Sequence, residues 1–126
     1  MQAYVIFTDG TRIDVEVADT SAAHARGLMF RDSLAEDRGM LFRFGPPRRY
    51  AMWMKNVRFA LDILWLDRSD RIVWIVENAL PCDAEPCPSY VPGIAAVTVL
   101  EISGGFVRKH GAAVGDAITV VNQPRR

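Results

Sequence analysis

ALDILWLDRSDRIVWIVEN, residues 60–78, holds two apolar runs around a short polar turn, and its reading decides the fold. Leu61, Ile63, Leu64, Trp65 and Leu66 make the first run; Ile72, Val73, Trp74, Ile75 and Val76 make the second. β-Branched and aromatic residues dominate the second, each run has strand length, and Asp67–Asp70 is a turn-forming stretch between them. Two strands are therefore predicted. Both are apolar at nearly every position, which places them centrally and covered on both faces.

Asp62 breaks the pattern. Alternation along a strand puts it on the face of Leu64 and Leu66, with Leu61, Ile63 and Trp65 on the other. A lone carboxylate there is costly to bury, so it needs a partner or a solvated pocket. WMKN (53–56) lies just before it, and Lys55, Asn56, Arg58 and Arg26 are the candidate partners. A bend near Asn56–Arg58 is expected to let these groups meet Asp62. The meeting place is either a network sealed in the core or the polar floor of a ligand pocket, and the sequence favours the core slightly.

Outward from this stretch the chain continues as β structure. AYVIFT and TRIDVEV flank Asp9-Gly10, a two-residue hairpin signal, and Ile13, Val15 and Val17 alternate with polar residues. Thr20 or Asp19 can cap a short helix, SAAHARGLMF, interrupted at Gly27. GMLFRF reads as a strand broken by Gly45-Pro46-Pro47, and RRYAMWMKN as another. AVTVLEI and AITVV are further strands, and SGGFVRKHG is a second helix with Ser103 as N-cap and Gly111 past its end. The expected fold is mainly β (α+β): one compact, β-barrel-like domain over residues 1–126, with about eight short strands and two short helices.

Half of the 126 residues are hydrophobic, and 15 basic side chains balance 15 acidic ones. Zero net charge argues against an electrostatic nucleic-acid binder. No apolar segment has the length of a membrane span, and Met1 leads directly into a strand pattern rather than a signal peptide. Cys82 and Cys87 stand in the proline-rich ALPCDAEPCPSYVPG, a stretch long enough to suggest function. Their spacing is neither a redox motif nor half of a zinc site, and His24 and His110 are remote in sequence. A short-loop disulfide is expected over two free thiols, and it would place the protein outside the reducing cytosol.

The segments RGLMFRDSLAEDRGMLFRF (26–44), WMKN (53–56), LDILWLD (61–67), ENALPCDAEPCPSY (77–90) and AVTVLEISGGFVRKHGAAVGDAI (96–118), in this order, resemble domain-of-unknown-function family 192 of bacteria and archaea. The resemblance implies a compact β-rich fold and, in many members, an export signal or membrane anchor that precedes it. It implies no known reaction.

The candidate binding residues are Arg26, Trp53, Lys55, Asn56, Asp62, Glu77 and Tyr90. Glu77 leaves the core at the end of RIVWIVE and reads as a rim residue or a pocket group; Glu101 in VLEI reads more firmly as a rim residue. Tyr90 lines a pocket or packs down its loop. Met29, Met40, Met52 and Met54 suggest either a copper(I) thioether set or core filler, and filler is the expectation. His24 and His110 are expected on exposed helix faces. No hydrolase elbow, phosphate loop or dinucleotide fingerprint is present, so no cofactor and no metal is expected. The expected function is an exported binding domain with a pocket or groove near the Cys loop and WMKN, taking a small molecule, glycan or protein. The alternatives are a small extracytoplasmic enzyme using Asp62 and Lys55 on a carbohydrate or cell-wall-like substrate, and a structural or protein-interaction module.

Overall fold

The computed structural model describes residues 2–123. In chain order they form β1 (Gln2–Ile6), β2 (Arg12–Ala18), α1 (Ser21–Arg26), β3 (Arg38–Arg48), β4 (Met52–Trp53) and β5 (Leu61–Leu66). β6 (Ile72–Ala79), β7 (Ser89–Tyr90), β8 (Ala96–Ser103), α2 (Phe106–His110) and β9 (Thr119–Gln123) complete them. Seven strands make one sheet in the order β6-β5-β8-β3-β2-β1-β9, and β4 pairs with β7 in a separate two-stranded ribbon. All pairs are antiparallel except β2–β3, whose parallel ladder follows from the crossover through α1.

The β1–β2 hairpin is tight, but its loop has three residues rather than two. Gly10 donates its N–H to the Phe7 carbonyl, and Phe7 donates to Thr11, leaving Thr8, Asp9 and Gly10 in the loop. Gly10 sits at φ 87°, the left-handed position that this three-residue geometry requires. Thr20 caps α1 by accepting the Ala23 N–H at 3.1 Å, and Gly27 ends the helix at φ 48°.

β5 is buried along its whole length between β6 and β8. β6 is not central, however: it is the sheet edge, and Trp74 is 39% exposed. Its apolar surface is partly covered by the proline-rich segment, where a Cβ on Gly93 would fall 2.7 Å from the Trp74 ring. Gly45-Pro46-Pro47 does not end a strand either. β3 runs through it, and the extra residues between Arg43 and Arg48 bulge away from β8.

The sheet separates two cores. Val5, Ile13, Val15, Leu41, Leu64, Leu66, Leu100 and Ile102 pack on one face with Phe106 and Val107 of α2. Leu28, Phe42, Met54, Leu61, Ile63, Trp65 and Val99 fill the other. Each fully buried side chain of this size contributes about 1.5–3 kcal/mol. The sheet ends approach each other, since Ile72 donates to Asp116 and Ile118 to Asp70, but Arg71–Ala117 is an isolated bridge. The sheet is therefore not closed into a barrel.

Candidate functional site

Asp62 is fully buried on the α2 side of the sheet. Its Oδ1 accepts the backbone N–H groups of Asn78 (2.8 Å) and Gly105 (3.2 Å), and its Oδ2 accepts that of Val107 (2.8 Å). α2 has no cap from its own flanking residues: Gly105 is its N-cap, while Ser103 turns its hydroxyl to the Leu34 and Ala35 carbonyls. Asp62 supplies the missing acceptors from another strand, so the orphan N–H groups of the helix start and the buried carboxyl satisfy each other.

None of the partners expected for Asp62 reaches it. Lys55 pairs with Glu85 at 2.8 Å and Arg58 with Asp32 at 2.7 Å. Asn56 adopts φ 58°, donates its N–H to the Cys82 carbonyl and accepts the Phe30 N–H, so its backbone joins three loops. The cause is strand alternation. WMKN packs with Met54 and Val57 over the second core, whereas Asp62 points into the first. The sheet lies between Asp62 and Lys55, so the structure does not bring this candidate pair together.

The second core holds a different carboxyl group. Glu101 is only 3% exposed and faces Met40 on β3 and Ile63 on β5. It makes no hydrogen bond or ion pair among the described residues, yet no fully buried polar side-chain atom there lacks a partner. Its oxygens therefore open on space, a cavity of about 170 Å³ between the α1 end and the β4 segment. Arg26, Met29, Phe42, Met52, Trp53 and Lys55 line the cavity with it. Burial alone pushes the Glu101 carboxyl up from 4.5 to about 8, so it is mostly protonated at neutral pH.

Three candidate residues thus meet at one place. Arg26 is exposed at the mouth, Trp53 is 43% exposed, and Lys55 is half-buried with its Nζ 5.1 Å from the Trp53 ring centre. Glu77 is exposed on the β6 edge and Tyr90 packs against the second core opposite Met52, so neither lines the cavity. The methionines divide: Met40 and Met54 are core, Met29 and Met52 are wall. The two histidines are half-buried, not on open faces. His24 donates from Nε2 to the Ala18 carbonyl and packs on Phe44, and His110 pairs with Asp9 and stacks on Phe106. Glu101 was the group missed, although its signal matches that of Asp62: LEI and LDI each set a carboxylate between two strand aliphatics.

A larger cleft of about 320 Å³ lies beside α2, with Arg12, Glu36, Lys109 and His110 in its lining. Most of its charges are paired, Lys109 with Glu36, Arg12 with Asp14 and His110 with Asp9, while Asp37 also lines it. It offers a ligand no unsatisfied group comparable to Glu101. Cys82 and Cys87 form a disulfide. Among the described residues no cluster of His, Cys, Asp or Glu is arranged for a metal ion, and no helix is long and apolar enough to cross a membrane.

The model of the DUF192 family, "Uncharacterized ACR", matches residues 4–120. The chain belongs to this family. Two solved structures have a similar fold. The chain is 34% identical, with a TM-score of 0.82, to a protein of Sinorhizobium meliloti 1021 described as "a putative transcription regulator", over 94% of this chain and 92% of that one. It is 35% identical, with a TM-score of 0.81, to a protein of unknown function from Novosphingobium aromaticivorans DSM 12444, over 94% and 84%. No curated protein matches it. The RGLM, WMKN and VLEI stretches that carry the DUF192 resemblance all contribute to the walls or floor of the Glu101 cavity.

Proposed function

We propose that this chain is a small binding domain that works outside the reducing cytosol and takes a small ligand in the Glu101 cavity. The observation that carries the reading is a buried carboxyl with no protein partner at the floor of a cavity walled by aromatic and thioether side chains. Proteins satisfy nearly all buried polar groups, and exceptions mark a ligand or a function. The volume suits a ring-sized or short-chain molecule, since an apolar cavity of ~150 Å³ holds benzene.

The Cys82–Cys87 disulfide supports an oxidising location, because such bonds persist outside the cytosol. It also supports the cavity. Cys82 accepts the Asn56 N–H and donates to Met54, and Glu85 inside the loop holds Lys55, so the Cys loop braces WMKN. Regulation of transcription, the description given to the Sinorhizobium protein, gains no support from this chain's zero net charge if it required direct DNA contact.

Heteronuclear NMR titration with methyl glycosides, aromatic acids, alcohols and alkylamines tests the reading. A ligand of this cavity moves the Glu101 and Trp53 amides and the Met29 and Met52 methyl groups together, in a saturable way. If no compound at millimolar concentration moves that set, the cavity is not a binding site.

A further inference from the structure

A carboxyl buried without a partner costs stability, and its surroundings indicate what would complete it. The nearest charged and titratable groups on every packed element are accounted for. α1 brings His24, whose Nε2 is used by the Ala18 carbonyl, and Arg26, which is exposed at the mouth. The segment after β4 brings Lys55, which lines the cavity and is paired with Glu85. The neighbouring strands present only Met40 and Ile63. Among the described residues, no cation thus pairs with the carboxyl at the floor. Phe42, Trp53, Met29 and Met52 line the cavity with it, and the Trp53 ring already carries the Lys55 ammonium over it; aromatic and thioether walls of this kind suit a positively charged nitrogen bearing an apolar stem.

We infer that the ligand is a small organic cation of the primary alkylammonium class, its nitrogen seated against the Glu101 carboxylate and its stem between Met29, Met52 and Trp53. This deepens the binding-domain reading and rests on it. Binding requires the ionised carboxylate, so Glu101 releases its proton to solvent as the ammonium enters. Ligand binding is consequently weaker at neutral pH than in mild alkali.

The experiment is a calorimetric and NMR titration of the whole protein with n-pentylammonium, pentan-1-ol and hexanoate at pH 7 and pH 9. The expected result is binding of n-pentylammonium alone, with close to one proton released per ligand at pH 7. Its Kd should fall about tenfold from pH 7 to pH 9, following ionisation of a group titrating near 8. Glu101→Gln should weaken it at least tenfold at pH 9 while its spectrum stays folded. Binding of the alcohol or of hexanoate without the ammonium overturns the cationic ligand and leaves the pocket standing. Ammonium binding that is pH-independent and unchanged in Glu101→Gln also overturns it. If none of the three moves the cavity resonances, the cationic ligand is rejected, and the wider panel then decides whether the pocket reading falls with it.

Discussion

Asp62 and Glu101 lie diagonally across the β5–β8 ladder, Asp62 opposite Ile102 and Glu101 opposite Ile63, so their carboxyl groups point to opposite faces of one sheet. Two similar tripeptides, LDI and LEI, thereby receive opposite fates. Asp62 meets three backbone N–H groups and closes the start of α2. Glu101 meets none and opens on a cavity.

Glu101 should make the fold less stable as pH rises. Its carboxyl titrates near 4.5 when unfolded and near 8 when folded, so between these values the folded state retains a proton that the unfolded chain has lost. Stability falls over that window and levels off above it. Glu101→Gln should match the wild type near pH 4 and exceed it by a few kcal/mol at pH 8–9. Thermal unfolding across this range checks it, and equal melting temperatures at pH 9 would contradict a buried, unpaired carboxyl.

Asp62→Asn should act in the opposite direction. The amide keeps one acceptor but turns an N–H₂ group toward backbone donors, so about 2 kcal/mol or more is lost. The Val107 and Gly105 amides should also exchange faster with solvent, because they lose the bonds at the helix start. Unchanged denaturation midpoints and unchanged exchange would rule out the capping role.

Gly39 should tolerate no side chain. A Cβ there would stand 2.5 Å from the Glu101 carbonyl oxygen and 3.0 Å from Ile102. That oxygen belongs to central strand β8 and cannot retreat, so Gly39→Ala is expected to cost at least ~2 kcal/mol by forcing the β3–β8 ladder apart. Chemical denaturation measures the cost, and a cost below half of that would show that the ladder gives way easily.

Replacing Cys82 and Cys87 by serine should cost about 2 kcal/mol, the loop-entropy value for so short a ring. The change should also reach the cavity through the Asn56–Cys82 and Lys55–Glu85 contacts, shifting Trp53 fluorescence. Thiol titration of the denatured, unreduced protein should find no free thiol; two thiols would remove the case for an oxidising compartment.

Periodicity made much of the fold legible. The hairpin at Asp9-Gly10, the Thr20 cap, the Gly27 and Gly111 helix ends and the buried β5 all depend on residues close in sequence. The β6 edge and the continuous β3 were not legible, since strand order and bulging depend on which segments lie alongside. In the candidate site, Arg26, Trp53 and Lys55 were legible as groups that converge, but Asp62 was placed with them wrongly. Alternation assigns a residue to a face; it does not say which distant element covers that face.

By itself, then, the sequence determined that Asp62 stands inside an apolar strand and needs a partner, and it read Glu101, set the same way, as a rim residue. Only the tertiary structure decided between them. α2, folded from residues far along the chain, aims its free N–H groups at Asp62, while α1 and the WMKN segment line the Glu101 cavity without hydrogen-bonding its carboxyl. A buried charge is stable or reactive according to its partners, and those partners are brought by contacts that span the whole chain.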